Sequence, residues 1–225
     1  MQRALFPSAY NGQQVTPIKM GRDDKMGLIE QIQQAGTANG FGSELIGGGY
    51  RMQQSPEEFA QLIEALRGKP INNYLQVGSA AGGSERFICE TVGIKSLTIM
   101  DYGTHPEFNI WQTVNKPALE AQGVTITQWL GDSHSDEAEY FIDTQGKFDL
   151  IGIDGDHTPA GARMDWKLIT PCLRPSSLVW IHDIDHTKMR PCDNGAYEVW
   201  TELKKQHKVL VEALGHFGIG LVEIV

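Results

Sequence analysis

From Tyr74 onward, short apolar runs alternate with helix-length amphipathic segments, and that alternation leaves few folds open to the chain. Residues 74–77, 96–100, 124–130, 148–153 and 178–181 read as strands, rich in Leu, Ile and Val and bounded by turn residues. Helices are expected from Glu85 onward and over residues 113–122, 136–144, 159–173 and 195–206. Strands separated by helices cannot pair as hairpins, so they align in parallel with helices covering both faces. Residues 209–214 and 219–225 are joined only by Gly215-His216-Phe217-Gly218 and should form an antiparallel hairpin at one edge. The expected fold class is α/β: a Rossmann-like, doubly wound, mainly parallel sheet with an antiparallel C-terminal hairpin.

Residues 55–225 suffice for that domain, and residues 1–54 are set apart as an N-terminal cap or lid segment. Within the latter, residues 23–34 can form a short helix on Met26, Leu28, Ile29 and Ile32. Residues 40–50 are glycine-rich and read either as a lid or as an ordinary connection. Ser55-Pro56-Glu57-Glu58 has the pattern of a helix start, with Ser55 at the N-cap, Pro56 at N1 and Glu58 completing a capping box. Phe59, Leu62, Ile63 and Leu66 supply its apolar stripe.

In a sheet of this kind ligands bind beyond the carboxyl ends of the strands. Asp101, Asp132, Asp154 and Asp183 all fall there. The first strand runs into Gly78-Ser79-Ala80-Ala81-Gly82-Gly83-Ser84 and then a helix start, a corner whose backbone N–H groups suit a nucleotide. Asp101, about twenty residues past the glycine turn, stands where such folds place the acid that accepts from ribose hydroxyls. A dinucleotide and an adenosyl cofactor both satisfy this pattern. Asp132 and Ser133 follow the third strand, near where an adenine would lie, or simply form a turn into a capped helix.

The densest cluster of titratable groups is Asp154-Gly155-Asp156-His157 with His182-Asp183-Ile184-Asp185-His186. Carboxylates brought together on adjacent strands repel one another, and a divalent cation resolves the conflict. Oxygen-rich ligands suit Mg²⁺, Ca²⁺ or Mn²⁺, whereas more imidazole points to Zn or Fe. Solvated acids on loops are the alternative. His157, beside carboxylates, can titrate near neutral pH and serve as a general base, or it can orient Asp154.

The net charge of −9 argues against a surface that binds the nucleic-acid backbone. Three scattered cysteines suggest neither a disulfide framework nor a zinc-thiolate site and fit a reducing cytoplasm. No apolar run approaches a membrane span, and the oligomeric state is left open, homo-oligomers included.

With these motifs in place, the chain from about Ser55 resembles class I S-adenosylmethionine-dependent methyltransferases, specifically the small-molecule and sugar O-methyltransferase-like group. The resemblance rests on residues 74–84, on Phe148-Asp149-Leu150-Ile151-Gly152-Ile153-Asp154-Gly155-Asp156-His157, on Leu173-Arg174-Pro175, on Ile181-His182-Asp183-Ile184 and on residues 195–204. It implies S-adenosylmethionine as cofactor, with Gly78, Ser79 and Gly82 around the methionine part, Asp101 on the ribose and residues 132–134 at the adenine. Gln76 and Ser84, from the same stretch, join the cofactor set together with Asp154. Catalytic candidates are His157, Asp154 and His182. The resemblance also implies a metal, Mg²⁺ or another divalent cation, at Asp154 and Asp183. Its third ligand position is Ile184, so Asp185, His182 or water substitutes. Where the group carries an acid that helps hold the cofactor's ammonium, this chain has Gln76. The acceptor would be a small molecule or sugar, recognised by the N-terminal segment and the loop over residues 187–194. An NAD(P)-dependent oxidoreductase and a non-catalytic adenosyl-binding protein are the competing readings.

Overall fold

The computed structural model describes residues 27–38, 45–46 and 49–225. Most of the glycine-rich stretch at residues 40–50, and the start of the helix expected at residue 23, lie outside these. Helix α1 (Leu28–Gly36) leads into a two-residue ribbon in which Thr37–Ala38 pairs antiparallel with Leu45–Ile46. Helix α2 (Pro56–Leu66) follows, and the main sheet begins with β1 (Asn73–Val77).

From there the chain runs α3 (Gly83–Val92), β2 (Ser96–Asp101), α4 (Phe108–Ile110), α5 (Lys116–Ala121) and β3 (Thr125–Leu130). It continues with α6 (Asp136–Asp143), β4 (Leu150–Ile153), α7 (Pro159–Ile169), β5 (Leu178–His182), α8 (Gly195–Gln206), β6 (Lys208–Ala213) and β7 (Ile219–Glu223). The seven strands lie in the order β3-β2-β1-β4-β5-β7-β6. The first five are parallel, and β7 is antiparallel to both β5 and β6. The expected sheet is therefore present, with β7 inside it and β6 at its edge.

Successive residues of the central strands enter opposite cores, the period-two pattern of a sheet covered on both faces. Tyr74, Leu97, Leu150 and Leu178 pack with α1, α2 and α3 through Ile32, Phe59, Leu62 and Phe87. Leu75, Ile151 and Val179 pack with α6, α7 and α8 through Ile142, Leu168 and Trp200.

Two local expectations fail for physical reasons. The capping box at α2 does not form: Ser55 makes no side-chain cap bond. Glu58 instead accepts from the main-chain N–H of His216 (2.6 Å) and Gly218 (3.1 Å), in the turn between β6 and β7. Glu58 is itself buried, and the main-chain N–H groups of the turn are the donors that satisfy its enclosed carboxylate. The helix expected at 113–122 starts earlier and holds a π-helical turn at Trp111–Asn115 between α4 and α5. That widened turn buries Trp111 against Gly82 and lets Asn115 Nδ2 donate to the carbonyls of Tyr50 (2.9 Å) and Ala81 (2.7 Å).

Candidate active site

A cleft of about 960 Å³ opens over the carboxyl ends of the five parallel strands. Its floor is the turn between β1 and α3. Gly78 has φ +77°, and a Cβ there would run into the main chain of Asp154 at the end of β4. Only glycine lets these two strand ends approach so closely. Gly82, at φ +73°, precedes α3, and a Cβ on it would strike the Trp111 ring.

Asp101, at the end of β2, holds this turn. Its Oδ2 accepts from Ser79 N–H (2.8 Å) and Ala80 N–H (3.2 Å), and its Oδ1 accepts from Gly103 N–H (2.6 Å). The carboxylate therefore shapes the turn while it lines the cleft, and its remaining lone pairs stay available to a ligand.

Gln76 is elsewhere. Its side chain is fully buried between strands, where Oε1 accepts from Tyr74 OH (2.5 Å) and Nε2 donates to the Gly78 carbonyl (2.6 Å). Gly152 on the adjacent strand makes room for it, because a Cβ at residue 152 would meet both Gln76 Oε1 and the Trp180 indole. Gln76 supports the turn from beneath and is not among the cleft's walls, contrary to its expected place on the cofactor.

At the β3 side of the cleft stand Asp132, Ser133 and His134. Ser133 Oγ donates to Asp165 Oδ1 (2.7 Å), and His134 Nε2 lies 3.2 Å from the same oxygen. Asp165 Oδ2 accepts from Asp156 N–H (3.1 Å). Burial raises the Asp165 pKa against these bonds. Asp165 thus ties the loop after β3 to the loop after β4, a positioning role.

At the β4–β5 side two carboxylates and two imidazoles interlock. His182 Nδ1 is 3.3 Å from both Asp154 Oδ1 and Asp183 Oδ1. His157 Nδ1 is 3.2 Å from Asp183 Oδ2, and its Nε2 is 3.6 Å from Asp154 Oδ1. The close approach of Asp154, with the charges of Asp154 and Asp183, raises His157 to about 9. Burial opposes the charged form of His182, yet Asp154 and Asp183 outweigh it and raise that pKa to about 9 as well. Burial likewise opposes the Asp154 anion, but His182 and His157 hold its carboxyl well below the usual range, whereas burial keeps Asp183 raised. The expected general base, His157, is thus an imidazolium at neutral pH in the ligand-free chain.

Asp154, His182 and Asp183 offer ligand atoms within 4.8 Å of one another. Two carboxylates and an imidazole fit a divalent ion, with the nitrogen admitting Mn²⁺, Fe²⁺ or Zn²⁺ beside Mg²⁺. Asp185 stands apart from them. Its Oδ1 accepts from Thr187 N–H (3.1 Å) and Oγ1 (2.6 Å), and the buried Ile184 separates it in sequence from Asp183.

An adenosyl ligand also fits the cleft. Ser79 Oγ, Glu85 Oε2 and His182 Nε2, all on residues of its wall, are buried without a hydrogen-bond partner. Sequence reasoning missed Gln54, whose Nε2 donates to Asp154 Oδ2 (3.2 Å) and whose Oε1 accepts from Ser84 Oγ. It also missed Arg51, paired with Glu107 at the cleft wall, and Phe217 from the hairpin turn. Met189, Arg190 and Asp193 bring the loop over residues 187–194 to the same mouth.

Residues 75–184 match a protein family described as "Methyltransferase domain". Among curated proteins no sequence matches the chain. Solved structures share its fold. An O-methyltransferase from Bacillus cereus in complex with SAH is 16% identical, with TM-score 0.54 over 78% of this chain and 83% of that one. CalS11, a TDP-rhamnose 3'-O-methyltransferase of calicheamicin biosynthesis, is 13% identical, with TM-score 0.55 over 73% and 76%. MycE, a methyltransferase of the mycinamycin pathway in complex with Mg, SAH and mycinamycin VI, is 16% identical, with TM-score 0.51 over 76% and 48%. Among the described residues no helix is long and apolar enough to cross a membrane.

Proposed function

We propose, from the premise that this chain carries a methyltransferase domain on a class I fold, that it methylates a hydroxyl of a small molecule or sugar using S-adenosylmethionine. One observation carries the reading. A single cleft joins the glycine turn and Asp101 to the interlocked Asp154, His157, His182 and Asp183. Transfer to oxygen needs both ends: a cradle that fixes the methyl donor and an acid–base cluster that manages the acceptor's proton. The neighbours with SAH bound, and CalS11 with a sugar named as its substrate, support the choice of cofactor and acceptor class.

In this reading Ser79, the main chain of the glycine turn and Asp101 hold the amino-acid and ribose parts, and Asp132 with Ser133 borders the base. Asp154, His182 and Asp183 would hold a divalent ion. The cofactor supplies an electrophilic methyl group, and the ion would supply positive charge that favours an ionised acceptor oxygen. His157, its side chain 40% exposed at the mouth, is the group placed to take the proton of an entering hydroxyl, its ring becoming neutral when a cation at Asp154 and Asp183 offsets the charges that hold it protonated. Gln54 fixes the far oxygen of Asp154, which leaves Oδ1 directed at the histidines. Arg51, Met189 and Arg190 face the entry, so the segment before Ser55 and the loop over residues 187–194 frame the acceptor.

Calorimetry with S-adenosylhomocysteine tests the cofactor: micromolar binding is expected, and no binding at millimolar ligand overturns the reading. With binding in hand, methyl transfer to a panel of glycosides and phenols should appear and should fall at least tenfold in excess EDTA. Full activity in EDTA would remove the metal from the proposal and leave the methyl transfer.

A further inference from the structure

We propose that Glu85 is the carboxylate that receives the α-ammonium group of the methyl donor, in place of the acid that Gln76 does not provide. The inference rests on the adenosylmethionine reading and adds to it the group that fixes the amino-acid end.

Glu85 lies in the first turn of α3, directly after the glycine turn, and lines the cleft. Its side chain is almost wholly enclosed, with 2% of the residue exposed, and Oε2 is buried with no hydrogen-bond partner. Solvated acids on a helix start are common, but an enclosed and unpartnered carboxylate is costly and calls for a partner. The charged groups bearing on it, Asp154 and Asp101, have its own sign, and they add to the burial that raises its pKa. Tyr74 on β1 and Cys89 on α3 feel its charge, and neither brings a positive one.

A ligand that satisfies this oxygen must therefore carry both positive charge and N–H or O–H donors. In S-adenosylmethionine the sulfonium has charge but no hydrogen, and the ribose and adenine donate without charge. The carboxylate repels. Only the α-ammonium meets both conditions. The charge of Glu85 is felt by Tyr74, the residue that engages Gln76 Oε1. The carboxylate has in effect moved from the strand to the start of the following helix, while Gln76 keeps a purely internal role.

The test compares S-adenosylhomocysteine with its deamino analogue on the full chain, wild type and Glu85→Gln. S-adenosylhomocysteine lacks the sulfonium charge, so any effect reports the ammonium. The wild type is expected to prefer S-adenosylhomocysteine at least tenfold, and E85Q should reduce that preference below threefold by weakening this ligand alone. An unchanged preference in E85Q overturns the assignment and leaves the cofactor reading intact. Equal weakening of both ligands makes Glu85 a structural residue and also overturns it. Failure of the wild type to bind S-adenosylhomocysteine removes the cofactor reading itself. Glu85→Met, of similar volume and without a carboxyl, replaces E85Q if circular dichroism shows that variant unfolded, and is judged by the same preference.

Discussion

Replacing Gln76 by Glu would restore the residue that the resembling group carries, yet the surroundings oppose it. Nε2 of Gln76 donates to the Gly78 carbonyl, and a carboxylate there would face that carbonyl without a proton to give. Gln76→Glu should cost about 1–3 kcal/mol in urea unfolding and should not tighten S-adenosylhomocysteine; a variant as stable as wild type would contradict the burial argument. The histidine pair makes a second residue-level prediction. His157 and His182 titrate near 6.5 when unfolded and are raised to about 9 in the fold. A raised folded pKa means folding favours the protonated form. The stabilisation is therefore complete below pH 6.5 and is lost as pH rises through 9, with at most about 3 kcal/mol from the buried His182. Urea midpoints of the ligand-free, metal-free chain should fall over that window, and His157→Gln should make the fall shallower. Equal slopes in the two proteins would sink the idea.

Helix α2 shows how an element can be right in place and wrong in its bonding. The Ser-Pro-Glu-Glu pattern predicts where α2 starts, and it does start at Pro56. The capping box fails because Glu58, only 3% exposed, is claimed by two main-chain N–H groups of the turn between β6 and β7. Glu58→Ala should therefore destabilise the chain by about 1–3 kcal/mol, while Ser55→Ala stays within about 0.5 kcal/mol. Thermal or urea unfolding of the two variants decides this, and the reverse ranking would restore the capping box. The same logic separates what was legible at the site from what was not. The glycine turn and the acids at the strand ends were readable because strand, turn and helix start are consecutive in sequence. Gln54 stands just before the start signal of α2, in a segment without periodicity. Glu85 reads as an ordinary acid in a helix's first turn until its enclosure is known.

Across the molecule, the alternation of strands and helices and the short terminal turn foretold the sheet class and its antiparallel end. They could not foretell the interlocking of His157 and His182 between two carboxylates, since that depends on which strands become neighbours. Nor could they give the protonation of those rings, which the carboxylates of Asp154 and Asp183 impose against the opposing effect of burial. The strand order also bears on where the native sheet opens first. Strand β6 precedes β7 in the chain, yet its sheet partner is β7, and β7 in turn rests on β5. β6 joins the sheet only through its hairpin partner β7, so it is held along one side alone. An edge strand with neighbours on one side opens at lower free energy than the central strands it leans on. Native-state hydrogen exchange should find the β6 amides opening at lower free energy than those of β1 and β4, leaving the cleft's floor closed while its flank breathes.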